Sequence, residues 1–268
     1  MEILGYLFLF LVGLALGTLG AGGSILTVPI LVYLFSVDAV MASAYSLFIV
    51  GTTSLVGTVL KYNAQLVNFR TGVIFGIPSI ISIFITRKWI VPAVPDMVLQ
   101  LGSFQLSKRV LILGIFAFLM ILASICMITK GNKNKTKSHP YPESHFFLIL
   151  LGLLTGVITG FVGVGGGFLI IPVLGFLTNM PFKIVVGTSL LIIASNSLIG
   201  FIGDIINYAV QWNFLLTITG LAVFGIYIGS LIAKNLPTLK LQKSFGWVTL
   251  AIGTSILMRE IFFHSTIG

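Results

Sequence analysis

Two glycine-rich runs carry the residues best suited to chemistry. Gly20-Ala21-Gly22-Gly23-Ser24 and Gly163-Val164-Gly165-Gly166-Gly167 each lie inside a long uncharged stretch. Glycine accepts unwound backbone, and a helix that restarts after such a break offers amides with no intrahelical partner. Those amides, at the positive end of the helix dipole, suit an oxyanion without a buried Lys or Arg. A glycine break in corresponding apolar segments of two halves is the sequence pointer to a transporter's binding site.

A second polar constellation follows each run. Thr52-Thr53-Ser54 in the first half corresponds to Ser195-Asn196-Ser197 in the second, with Ser46 and the pair Thr188-Ser189 about two turns earlier. Hydroxyls and an amide donate to an anion and are cheap to bury. The same residues also bond back to their own helix or bridge neighbours. Asp204 closes a long uncharged run and aligns with Lys61. Both are candidates for coupling or gating, since ionisable groups at membrane depth are functional by default; their place at span ends favours interfacial exposure instead.

The elements that hold these residues are dictated by composition. Of 268 residues, 57% are hydrophobic and 8% charged, against roughly a quarter charged in soluble domains. Ile3–Val37, Ala39–Leu60, Val110–Thr129, Ser144–Phe182, Ile184–Gly203 and Ile205–Ala233 contain no Lys, Arg, Asp or Glu. A spanning helix needs about 20 apolar residues. The chain is therefore an all-α polytopic membrane protein, expected in the cell (plasma or inner) membrane as a multi-pass protein. The net charge of +9 reflects Lys and Arg at span ends and in loops, so nucleic acid is not an expected partner. The expected partners are a small anionic substrate and the lipid bilayer; a homo-oligomer is compatible with these residues.

An offset of 143 residues places Pro29 on Pro172, and Gly13, Gly17, Gly20, Gly22 and Gly23 on Gly156, Gly160, Gly163, Gly165 and Gly166. Ser46-Leu47, Ser54-Leu55 and Gly57 fall on Ser189-Leu190, Ser197-Leu198 and Gly200 in the same register. This predicts two homologous transmembrane repeats, residues 1–129 and 146–268, joined by a basic polar linker over 130–145. Each repeat has four apolar elements: Ile3–Phe35, Val37–Leu60, Thr71–Thr86 and Lys108–Thr129, then Phe146–Leu177, Phe182–Gly203, Phe214–Ala233 and Leu241–Phe262. Ile3–Phe35 would be about 50 Å long as one helix, beyond a hydrocarbon core of about 30 Å. The glycines and Pro29 predict a break there, giving a hairpin or a single broken span.

Basic residues separate the two geometries. If each first element is a hairpin, each half has three full spans and the halves are inverted. The linker face then holds Lys61, Arg70, Lys130, Lys133, Lys135, Lys137, Lys183, Lys234, Lys240 and Lys243, and the other face holds Arg87, Lys88, Lys108, Arg109 and Arg259. A single crossing would spread the charges evenly and leave no positive-inside bias. Inverted repeats, each with a glycine-broken first helix plus three spanning helices, are the expected architecture.

Other chemistries find no support. A GxGxxG-like pattern near Gly163 lacks a strand–helix–strand frame and an acidic partner. His139, His145 and His264 have no ligand spacing, and the single Cys126 excludes a disulfide framework. With no Ser-His-Asp, HExxH or P-loop pattern, neither an enzyme activity nor a cofactor or metal is expected. Gly13, Gly17, Gly156 and Gly160 fit helix packing of the GxxxG kind.

The doubled Gly-x-x-x-Gly-x-x-Gly-x-Gly-Gly with a proline six positions on, followed by Pro181-Phe182-Lys183 and Gly187-Thr188-Ser189, resembles the TauE/SafE family of sulfite and organosulfur anion exporters over nearly the whole chain. The resemblance implies about eight membrane segments in two related halves and export of a small anion such as sulfite or an organosulfonate. The first copy departs from the motif, with Ser24 in place of Gly167 and Ala44-Tyr45-Ser46 in place of Gly187-Thr188-Ser189. The expected function is a secondary transporter working by alternating access around the two breaks. The alternatives are an anion channel, or a membrane scaffold whose glycines only pack helices.

Overall fold

A computed structural model describes residues 2–19, 24–95, 97–101, 104–129, 145–163, 166–178, 180–232 and 238–262. The fold is a helical bundle. Its elements are α1 (Glu2–Leu19), α2 (Ser24–Tyr33), α3 (Ala39–Asn63), α4 (Phe69–Ile85) and α5 (Val91–Ala93), then α6 (Lys108–Thr129), α7 (His145–Val162), α8 (Gly167–Leu177), α9 (Phe182–Ile205), α10 (Trp212–Ile232) and α11 (Thr238–Phe262). Among the described residues, five helical stretches are long and apolar enough to cross a membrane: Ala39–Asn63, Phe69–Ala93, His145–Val162, Lys183–Ile205 and Trp212–Ile232. In hydrocarbon every backbone polar group must be satisfied within its own segment, which is why these apolar runs are helical.

The second long first element is broken where the glycines predict: the helix ends at Val162 and restarts at Gly167. In the first, α1 and α2 flank residues 20–23, which lie outside the described residues. The prolines are not the breakers. Pro29 lies inside α2, and α8 likewise contains the Pro172 position. Each proline lies beyond the first turn of its half-helix and leaves the carbonyl four residues earlier without its amide donor.

Side-chain contacts fix the directions. The Tyr6 and Phe35 rings meet edge to face at 5.2 Å, and Phe35 meets Phe214 at 5.2 Å. The chain after α2 thus returns to the start of α1, and the first element is a hairpin. Gly13 faces Ala222, and Gly17 faces Ile226 and Ser230, so α1 and α10 run parallel. Gly152, Gly156 and Gly160 face Phe75, Ser79 and Thr86 in the same rising order, so α7 and α4 run parallel too. By contrast Gly51 meets Leu198, Gly57 meets Leu190 and Gly200 meets Leu47, so α3 and α9 run antiparallel.

Packing pairs exchange between the halves: α1 lies on α10 and α7 on α4, while α3 packs on α9 and α6 on α11. The glycine seams explain how. A Cβ on Gly13 or Gly156 would collide with the backbone of Ala222 or of Ser79, so these helices touch backbone to backbone. A large apolar cluster draws mainly on α1, α2, α3, α6 and α10, with Ile83, Val162, Phe201 and Ile256 joining from other helices, and a smaller one gathers around Val50, Phe75, Leu148, Ile170 and Ile192.

The sequence reading of Thr71–Thr86 as a complete element is too short. The helix continues through a π-helical turn, Thr86–Ile90, into α5. The hairpin after it, β1 (Met97–Leu101) paired antiparallel with β2 (Phe104–Ser107), is also additional to the sequence expectation.

Candidate functional site

The second break carries the clearest geometry. Gly163 and Gly166 adopt φ of +77° and +75°, the left-handed region that favours glycine. Gly163 closes α7 by donating from its amide to Thr159 O at 2.8 Å, and Gly166 caps α8, its carbonyl accepting from Leu169 and Ile170 at 2.9 Å. Both glycines are buried, as is Gly167. A Cβ on Gly163 would collide with Ser43 of α3, and one on Gly166 with the Thr159 side chain. Val164 and Gly165, like Gly20, Ala21, Gly22 and Gly23 of the first break, lie outside the described residues; Ser24 opens α2. The two short half-helices α2 and α8 touch each other.

The polar triplets lie where α3 crosses α9, bracketed by the Gly51–Leu198 and Gly57–Leu190 contacts. There the candidates divide. Thr53 donates back to Ile49 O at 2.7 Å, and Ser195 to Leu191 O at 3.0 Å, so both serve their own helices. Thr188 Oγ1 accepts from the Asn68 amide at 2.9 Å and ties α9 to the start of α4. Asn196 Nδ2 donates to Ser79 Oγ at 2.6 Å, leaving its Oδ1 without a partner among the described residues. The hydroxyls of Ser46, Ser54, Ser189 and Ser197 are fully buried and equally without partners there. Thr52 is half-buried. Buried hydroxyls without partners are uncommon and call for an explanation.

The two ionisable candidates are not brought together. Lys61 ends α3 at the end of the bundle where α4 begins and its side chain is half-buried. Asp204 sits in the last turn of α9, at the other end, and is 1% exposed. Interfacial exposure therefore does not describe Asp204. It pairs with Arg87, which is 0% exposed. Arg87 Nε donates to Asp204 Oδ2 at 2.8 Å and Nη2 donates to the same oxygen. Nη1 donates to Ser43 Oγ at 3.0 Å and to Gly160 O at 3.2 Å, and Nη2 reaches Ser43 Oγ at 3.1 Å. Arg87 lies in the π-helical turn, a distortion that recurs at functional sites.

Sequence reasoning missed Arg87, Ser43 and Thr27, whose buried Oγ1 on α2 has no partner among the described residues. A signal for Arg87 was present. The uncharged run 71–86 is about 24 Å long as a helix, short of the roughly 30 Å core, so the span had to take in the charge that follows.

The family description "Sulfite exporter TauE/SafE" matches residues 6–256. The chain belongs to the TauE/SafE family. A "Probable membrane transporter protein" of Xylella fastidiosa (strain Temecula1) is 30% identical over 93% of this chain and 92% of its own length. The "Probable membrane transporter protein YunE" of Bacillus subtilis is 26% identical over 97% and 100% respectively. MJ0441 of Methanocaldococcus jannaschii, also described as a probable membrane transporter, is 26% identical over 74% of this chain. No solved structure matches. This TauE/SafE chain is a multi-pass membrane transporter, with a small-molecule substrate and a lipid bilayer around it.

Proposed function

We propose that this transporter exports a small anion, such as sulfite or an organosulfonate, by alternating access around the two glycine breaks. The observation that carries the proposal is the buried, left-handed backbone at Gly163 and Gly166, which restarts a helix inside the bundle. Irregular backbone at membrane depth is tolerated where it is buried in protein or lines a wet cavity. The family description, with its printed sulfite exporter, supports the substrate class.

In this account residues 1–129 and 146–268 are inverted repeats. The opposite directions of α3 and α9, which correspond at the 143-residue offset, support that relation. The substrate site is formed by Gly20 to Ser24 and Gly163 to Gly167, with Ser46, Thr52, Ser54, Ser189, Asn196 and Ser197 near the crossing of α3 and α9. Thr53, Thr188 and Ser195 act there as helix-bonding supports. The basic linker face is cytoplasmic by the positive-inside rule. With no nucleotide motif, the membrane potential drives efflux of an anion at about 2.3 kcal/mol per charge per 100 mV.

The test is thermal stabilisation of the purified protein by a panel of sulfur oxyanions and organosulfonates. Binding at 100 times the dissociation constant adds about 2.7 kcal/mol. A panel without any shift would overturn the anion site.

A further inference from the structure

We propose that Arg87 is the anion-coordinating cation of the second glycine break, and that the transported oxyanion takes the place of the Asp204 carboxylate on its Nε/Nη2 edge. The inference rests on the oxyanion-transport proposal above and names the residue that would discriminate for charge.

The geometry of the pair leads there. Arg87 and Asp204 are 117 positions apart in sequence and both are essentially fully buried. A guanidinium has five N–H donors in a planar fork. Here Nη1 and Nη2 are held by Ser43 Oγ and Gly160 O. Gly160 belongs to the last turn of α7, three residues before Gly163, and Ser43 is the residue that Gly163 packs against. Arg87 is thereby anchored to the α7 flank of the break and to the α3 serine that Gly163 packs against.

The remaining edge, Nε and Nη2, is met by a single carboxylate oxygen, Asp204 Oδ2. Oδ1 is buried with no partner among the described residues. Full fork-to-fork pairing places one oxygen on each of those donors, so the native pair leaves its best hydrogen-bond arrangement unmade. A pyramidal or tetrahedral sulfur oxyanion carries two oxygens at the right separation for that edge. Asp204 is also a poor resident for its position, because a carboxylate in the last turn of a helix opposes the negative end of the dipole.

Displacement does not strand the carboxylate in hydrocarbon. Asp204 lies in the last turn of α9, one residue before the helix ends at Ile205, so the end of the bundle is close by. The exchange conserves charge at Arg87: one anion leaves the edge as another arrives. Removing either partner alone leaves a buried charge uncompensated, whereas replacing both by apolar residues of similar size is tolerated.

The experiment measures sulfite binding to the purified full-length protein by calorimetry and by thermal shift. The variants are Asp204→Asn, Arg87→Lys and the double variant Arg87→Met with Asp204→Leu. Asp204→Asn removes the competing charge and is expected to bind sulfite at least about tenfold tighter than wild type. Arg87→Lys keeps the charge but loses the fork, and is expected to bind about tenfold more weakly. The double variant is expected to fold and to show no sulfite-dependent shift. Wild-type affinity in the double variant, or no tightening in a folded Asp204→Asn, would overturn the assignment of Arg87 and leave anion transport standing. Absence of binding by both wild type and Asp204→Asn to the whole anion panel would overturn the transport proposal and this inference together.

Discussion

Ser43 of α3 packs against Gly163 so closely that a Cβ on the glycine would collide with it, and the same serine accepts from both Nη atoms of Arg87. The turn between α7 and α8 is thus tied to a buried ion pair through one side chain. Backbone conformation, close packing and charge meet at that point, and each can be perturbed separately.

Gly163→Ala combines two penalties. A left-handed non-glycine residue costs roughly 1–2 kcal/mol, and overpacking against Ser43 adds typically 1–3 kcal/mol. The expected loss is about 2–5 kcal/mol in a detergent unfolding series, with anion binding impaired in the protein that remains folded. Gly114 and Gly220 are the controls: helical, with open space at the Cβ position. Alanine there is expected to be neutral or stabilising by up to about 1 kcal/mol.

Gly13→Ala and Gly156→Ala test packing apart from chemistry. Each Cβ would strike backbone of the facing helix, in α10 or in α4. A cost of about 1–3 kcal/mol is expected from overpacking, read as a lowered melting temperature. Anion affinity per folded molecule should stay at the wild-type value.

Ser54→Ala and Ser197→Ala separate a waiting ligand group from a structural one. Neither hydroxyl has a partner among the described residues, so its removal should change stability by less than about 0.5 kcal/mol, forgoing none of the usual 0.5–1.5 kcal/mol of a made bond. Sulfite affinity should nevertheless fall several-fold in both. Thr53→Val and Ser195→Ala lose only bonds to their own helices, and sulfite affinity should not move. Equal affinities across all four variants would remove the α3–α9 crossing from the site.

Inverted halves make a topological prediction. Gln65 follows α3 and Asn213 lies in the first turn of α10, and both are exposed. In a Cys126→Ser background, Gln65→Cys should be labelled by an impermeant thiol reagent only from the cytoplasmic side, and Asn213→Cys only from the opposite side. Labelling of both from one side would contradict the arrangement.

Much of the fold was legible in the residues because glycine runs and element length together leave few options. Ile3–Phe35 is too long for one span and has its glycines near the middle, and the chain after α2 does return to the start of α1, where Phe35 meets Tyr6. The seam glycines were legible from spacing, since Gly13/Gly17 and Gly156/Gly160 stand one helical turn apart. The inclusion of Arg87 in its span was legible from length, but its pairing was not, because its partner lies 117 positions away. No local pattern encodes that distance. The hydroxyls were legible as a group but not individually, because whether a serine bonds to its own helix depends on rotamer and neighbours rather than on sequence.

The most direct test of the central claim is counterflow in proteoliposomes. Vesicles loaded with unlabelled sulfite are diluted into a trace of radiolabelled sulfite, and accumulation of label is followed. The account predicts saturable, transient accumulation that requires internal sulfite and is lost in Gly163→Ala. Flux that is absent, or that is unaffected by internal sulfite and resolves into single-channel currents, would contradict an alternating-access anion transporter.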